Sequence, residues 1–250
     1  MTTGIYVYGL VPADATVDAG IKGVGEPPRP VRLIPHGDIA ALASEVDVDE
    51  PLGRPEDLIA HERVLDEVAA TAPVVPIRFG SVLRTEDAVV EQLLEPYHDD
   101  FRSTMDDLRG RAEYLMRARY AEEPMLREIM RGDPELERVR QQLRDEPEEL
   151  TRDARIALGE RIGAEIAVRR DRDTAVIVDR LSPHAISVLV REPTHELDAA
   201  NVAVLADTDR EADLITALDE LAAENSDRLQ VQMRGPLAPY DFVTTLRQGA

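Results

Sequence analysis

From Gly110 onward, the apolar residues come in an order that few folds accommodate. Ala112–Tyr120 alternates apolar and polar positions as a half-buried strand does. Glu122–Asp145 reads as two short charged helices broken at Gly132-Asp133-Pro134, with Pro134 opening the second. Glu148–Leu181 is one long helical pattern in which Ala154, Leu158, Ile162 and Ile166 recur at every fourth position. At 1.5 Å per residue such a helix spans about 50 Å, so one end should project or the helix should break near the charged run Arg169-Arg170-Asp171-Arg172-Asp173. Ile186–Val190 and Asn201–Ala206 read as strands and Leu229–Met233 as the last strand. Thr208–Glu224 reads as a helix capped by Thr208 or Asp207, with Leu214, Ile215, Leu218 and Leu221 inward. Strand, helices, strand, strand, helix, strand is the βαββαβ order of the split, ferredoxin-like sandwich with an antiparallel sheet.

The amino-terminal half is a second α+β unit. Gly4–Val11, Val31–Ile34 and Ile39–Val46 are strand-like, and Asp14–Pro30, with its glycines and prolines, is a loop. Glu56–Ala70 predicts an amphipathic helix with Leu58, Ile59, Leu65, Val68 and Ala69 inward, ended by Pro73. Val74–Leu83 predicts a strand at an edge or a bulge, because Pro76 lies inside it. A helix capped at Thr85 follows, its pattern running past Pro96 to Leu108 with a kink. The tail from Gly235 is expected to be extended, its prolines barring a ladder strand, and to lay Tyr240 and Phe242 on the body of the protein. The division is therefore an α+β domain over 1–109, a ferredoxin-like domain with inserted helices over 110–234, and an extended tail over 235–250.

The chain carries 50 acidic and 29 basic residues, a formal net charge of −21. Such a surface repels phosphate and anionic lipid unless a local basic patch exists, which argues against nucleic-acid and membrane-surface partners. There is no cysteine, so disulfides and thiolate chemistry are excluded, and Lys22 is the only lysine. No stretch approaches the roughly 20 apolar residues of a spanning helix, and the amino terminus lacks a basic leader, so a cytoplasmic protein is expected.

Motifs of catalysis or cofactor binding do not emerge. Gly20-Ile21-Lys22-Gly23-Val24-Gly25 has neither the spacing of a phosphate loop nor a following helix, since Pro27-Pro28 comes next. His36, His61, His98, His184 and His195 show no metal-ligand spacing, and no nucleophile elbow is present. No catalytic residue, metal site or cofactor is assigned. Arg78, between Ile77 and Phe79 in an apolar strand, reads either as a solvent-side arginine or as one forked to a carboxylate or a partner's backbone.

Three segments together resemble the gas vesicle protein F/L family: Tyr6-Val7-Tyr8-Gly9-Leu10-Val11, Val74-Val75-Pro76-Ile77-Arg78-Phe79-Gly80-Ser81-Val82, and Gly235-Pro236 with Pro239-Tyr240-Asp241-Phe242. Leu237 and Ala238 stand where the family carries an aromatic and a second proline. The resemblance implies two domains related to the ferredoxin-like arrangement, with the tail crossing between them. It also implies a non-enzymatic role as an accessory or minor structural protein of the gas vesicle. The expected partners are the small hydrophobic shell protein, whose nucleation it would assist, and other gas vesicle accessory proteins. An apolar surface or open strand edge is the expected contact, with Tyr6, Tyr8, Ile77, Arg78, Phe79, Tyr240 and Phe242 as the candidate residues. The competing readings are a regulatory ferredoxin-like domain that binds a small ligand, and an enzyme with an unrecognised site.

Overall fold

The computed structural model describes residues 2–144 and 146–246. Asp145, the expected end of a helix, and residues 247–250 of the expected tail lie outside the described residues. The fold mixes helices with two antiparallel sheets, as the α+β reading requires. Contacts divide the chain into two compact units. One is Met1–Tyr114 with Leu205–Asp209 and Gly235–Ala250; the other is Leu115–Val204 with Arg210–Arg234.

In the first unit β1 (Thr3–Pro12), β2 (Arg32–His36) and β3 (Ile39–Asp47) precede α1 (Pro55–Ala69). The sheet order is β2-β3-β1-β4, with β4 (Val75–Pro76) and β5 (Val82–Leu83) both paired to β1. The Val74–Leu83 segment is therefore not one strand. Pro76 sits in an edge strand, where its outer side needs no donor, and Ile77–Ser81 forms an arc between β4 and β5 before pairing resumes at Val82. Two bonds tie the arc's feet to β1: Ile77 N–H to the Tyr8 carbonyl (2.8 Å) and Val7 N–H to the Ser81 carbonyl (2.9 Å).

The ladder between β1 and β3 slips by one residue between Val7 and Gly9, which makes Tyr8 a bulge. Before the slip Tyr6 pairs with Ser44; after it Gly9 pairs with Leu42 and Val11 with Ala40. A one-residue slip exchanges faces. As a result Tyr6, Tyr8 and Val11 all join the core that α1 covers with Val64, Leu65 and Val68. α2 (Glu86–Val89) is capped by the Thr85 hydroxyl, which accepts the Ala88 N–H at 3.1 Å. It runs into a π-helical turn over Val90–Leu94, and α3 (His98–Leu108) then packs on β1 and β3 with Phe101, Met105 and Leu108 buried. The interruption at Pro96-Tyr97 is the expected kink, widened to a break.

The second sheet is built from β6 (Arg111–Tyr120), β7 (Ser187–Val190), β8 (Asp198–Asp207) and β9 (Leu229–Leu237), in the order β7-β8-β6-β9. Numbered along the chain, each sheet runs second, third, first, fourth. α4 (Glu122–Gly132), α5 (Pro134–Arg144) and α6 (Glu148–Leu181) link β6 to β7, and α7 (Glu211–Glu224) links β8 to β9. Ile215, expected inward on α7, is 40% exposed. α6 continues unbroken through 34 residues. Part of its charged run turns inward through ion pairs, while Asp171 and Arg172 stay exposed. Arg169 bonds Glu128 (3.1 Å) and Glu165, and Asp173 accepts from Arg228 at 2.7 Å and from the Tyr120 hydroxyl. Ile166, Ile177 and Leu181 are buried, Leu158 and Ile162 half-buried, and Ala154 exposed. Among the described residues no helix is long and apolar enough to cross a membrane.

The tail departs from the extended reading. β9 runs through Pro236, which an edge strand tolerates because its outer side needs no donor, and α8 (Tyr240–Leu246) is a helix.

Candidate functional site

The residues singled out by the sequence converge on a histidine that its patterning did not mark. α1 turns Asp57, His61, Val64, Leu65 and Val68 inward, an i, i+4, i+7, i+8, i+11 face. Leu58 and Ile59, expected inside, are 45% and 64% exposed. His61 lies among four rings. It stacks on Tyr8 with centroids 5.6 Å apart and meets Tyr6 and Phe79 edge-on at 5.7 and 5.5 Å. Its Nδ1 bonds the Tyr6 hydroxyl at 2.9 Å and its Nε2 the Tyr240 hydroxyl.

The hydrogens can be placed. Tyr6 Oη accepts the Gly80 N–H at 3.1 Å, so its own hydrogen is available for Nδ1. Nε2–H then donates to Tyr240. Burial pushes the imidazole down to about 4, against the opposing Ile77 backbone. Burial likewise raises the Tyr6 and Tyr240 phenols well above their ordinary range. Near neutral pH the trio is therefore uncharged, with each ring nitrogen matched to a hydroxyl. It joins β1, α1, the Ile77–Ser81 arc and α8, and carries no proton that titrates near pH 7.

Tyr8 holds a second clasp. Its hydroxyl accepts the Val24 N–H at 2.8 Å and pairs with Ser44 Oγ at 2.7 Å. This pins the 13–31 connection, which stands where a ferredoxin-like domain carries its first crossover helix. A Cβ on Gly23 would lie 2.1 Å from that hydroxyl, so only glycine fits there. Asp57 fastens the same connection by accepting the Gly25, Gly53 and Arg54 amides at 3.1–3.2 Å. Burial opposes its charge, yet these bonds and the Arg54 side chain hold its carboxyl below the usual range.

Tyr6 and Tyr8 are fully buried and Phe242 is buried on α8; Ile77, Phe79 and Tyr240 are half-buried, and Arg78 is exposed. Tyr6, Tyr8, Phe79 and Tyr240 thus share one cluster, which Phe242 does not enter. Arg78 makes no ion pair among the described residues. α8 docks through the Ala238 N–H on Asp66 Oδ1 and the Asp241 N–H on Glu113 Oε2, both 3.0 Å. The i, i+4 spacing of Asp57 and His61 with Leu65 could have revealed His61, but Leu58 and Ile59 fit a helical stripe by hydrophobicity alone. No group of three His, Asp or Glu side chains able to hold a metal occurs among the described residues.

The chain is 34% identical to gas vesicle protein F of Streptomyces sp. (strain CB03234), covering 95% of this chain and 98% of that protein. It is 30% identical to gas vesicle protein L of the same strain, over 95% and 91%. The crystal structure of GvpF from Anabaena sp. PCC7120 superposes with a TM-score of 0.75 at 25% identity, covering 96% of both chains. That of GvpF from Microcystis aeruginosa gives 0.72, also at 25% identity, over 96% and 98%. The family model described as gas vesicle synthesis protein GvpL/GvpF matches residues 4–244, and the chain belongs to that family.

Proposed function

We propose that this protein serves gas vesicle assembly by holding the hydrophobic shell protein in solution at the Ile77–Ser81 arc and helping its nucleation into a shell. One observation carries the reading: the arc presents the exposed Arg78, without an ion pair among the described residues, between half-buried Ile77 and Phe79, over a foundation of buried rings. A shell protein that must exclude water on one surface aggregates when free, so a helper needs a small apolar contact and a dispersing exterior. The net charge of −21 supplies the second. Tyr6 and Tyr8 act here as supports, while Ile77, Arg78, Phe79 and the rim of Tyr240 make the contact. The role is one of binding in the cytoplasm rather than of catalysis.

Capture of shell protein by the intact chain tests it. Arg78→Glu alters an exposed side chain and should leave the melting temperature in place while weakening capture about tenfold, the size of an interface arginine worth roughly 1.4 kcal/mol. Phe79→Asp should abolish capture in a variant whose circular dichroism remains native. Undiminished capture by both would remove the arc as the site.

A further inference from the structure

A second candidate surface lies in the other unit. One face of α4 carries Glu123, Leu126, Arg127, Met130 and Arg131, and with Glu137 and Arg140 of α5 it lines a groove of about 460 Å³. Its floor is the buried Met130 and half-buried Leu126; Arg127 and Arg131 stand exposed one turn apart. Arg140 is already paired with Glu137 at 3.3 Å. Arg127 and Arg131 make neither ion pair nor hydrogen bond among the described residues. Like charges at i, i+4 work against a helix by a few tenths of a kcal/mol. In a chain with 50 acidic residues such a pair is not forced by any shortage of partners.

We infer that this groove docks an acidic amphipathic helix of another protein. Two guanidinium groups four residues apart on a helix are separated by about 6 Å along its axis, the rise between carboxylates at i and i+4 of a facing helix. An apolar side chain between those carboxylates would settle on Leu126 and Met130. Glu123, at the far end of the stripe from Arg131, favours a basic residue there and so fixes the direction of the incoming helix. The overall negative charge does not prevent approach, because the Debye length is about 8 Å at physiological salt and, within the groove itself, Arg127, Arg131 and Arg140 outnumber Glu123 and Glu137. This surface goes beyond the arc and stands whether or not the shell protein binds there.

Fluorescence anisotropy with the intact chain and a labelled synthetic peptide tests it. The peptide forms an amphipathic helix with glutamates at i, i+4 beside leucines. Two controls accompany it: one with lysine for each glutamate, and a scramble that keeps composition but loses the apolar stripe. The acidic helix should bind, and binding should weaken in 0.5 M salt. Arg127→Glu with Arg131→Glu should lose at least tenfold at unchanged melting temperature. Leu126→Ala should weaken binding about threefold and keep its salt dependence. No binding of the acidic helix, equal binding of either control, full affinity in the double variant, or displacement by millimolar inorganic phosphate would overturn the assignment.

Discussion

His61 is the residue on which the amino-terminal unit's polar core turns, and its burial has a measurable consequence. Its folded pKa of about 4 lies below the ordinary 6.5. The unfolded chain therefore binds the proton more readily over that interval. The stability due to neutral His61 is complete above about pH 6.5 and is lost as pH falls toward 4, by up to about 3 kcal/mol. Protonation would also make both ring nitrogens donors, forcing a second donor on Tyr6 Oη, which already accepts from Gly80. His98 works in the other direction: hydrogen bonds to Asp99 and Asp38 raise its pKa, so its contribution is present at low pH and lost as pH rises. Its partners Asp38 and Asp99 are exposed, which screens these pairs, so His61 should dominate. Asp57 and Asp198 have lowered pKa values and lose their contributions only below the ordinary carboxylate range. Urea unfolding at pH 7 and pH 4.5 should show the loss, and His61→Gln should flatten that interval while lowering stability at pH 7. An unchanged slope in the variant would assign the pH dependence elsewhere.

At the scale of elements, α1 separates what patterning can read from what it cannot. Its span of Pro55–Ala69 follows from Pro55 at the start and the apolar repeat, but its inward face does not. Hydropathy ranks Leu58 and Ile59 above Asp57 and His61, whereas the structure buries the polar pair because each finds hydrogen-bond partners: Asp57 at the helix start from Gly53 and Arg54 and across from Gly25, His61 from Tyr6 and Tyr240. Partners 16 to 179 residues apart in sequence, as in Val24 with Tyr8 and Tyr240 with His61, leave no local pattern. The same limit explains the Val74–Leu83 segment. Its composition is that of a strand, and Pro76 announces an edge, but the arc is set by its pairing to a bulged β1. α6 was legible to its ends, and the partners that hold its charged run straight come from α4 and from Tyr120 and Arg228. Substitution separates the two faces of α1. Val64→Ala should cost about 1–3 kcal/mol by leaving a cavity beneath Tyr6 and Tyr8. Ile59→Ser should fall within about 0.5 kcal/mol of the parent. Chemical denaturation of both variants measures the difference, and equal losses would return the inward face to Leu58 and Ile59.

For the whole molecule, the two sheets solve one topological problem with different connections. Both run second, third, first, fourth, yet the first lacks a helix between its opening strands and fastens the 13–31 connection through Tyr8, Ser44 and Asp57, whereas the second inserts three helices at that place. Neither arrangement depends on the net charge of −21, which is a property of the exterior and should oppose compactness. Salt acts on this charge in two ways. It screens self-repulsion, which stabilises, and it weakens surface ion pairs such as Arg210–Asp213 and Arg54–Glu26, which destabilises. Exposed pairs contribute a median of about 0–1 kcal/mol each, and many contribute nothing. Repulsion is summed over an excess of 21 negative charges and reaches farther than any one pair at low ionic strength, where the Debye length is about 30 Å at 0.01 M. Screening of repulsion should therefore win: the melting temperature should rise by several degrees between 0.01 and 0.3 M sodium chloride at pH 7.5, where His61 is neutral. Sodium sulfate at equal ionic strength should add to the rise through stronger apolar burial. A melting temperature that falls with sodium chloride would mean that the surface pairs, not the excess charge, govern the stability of the exterior.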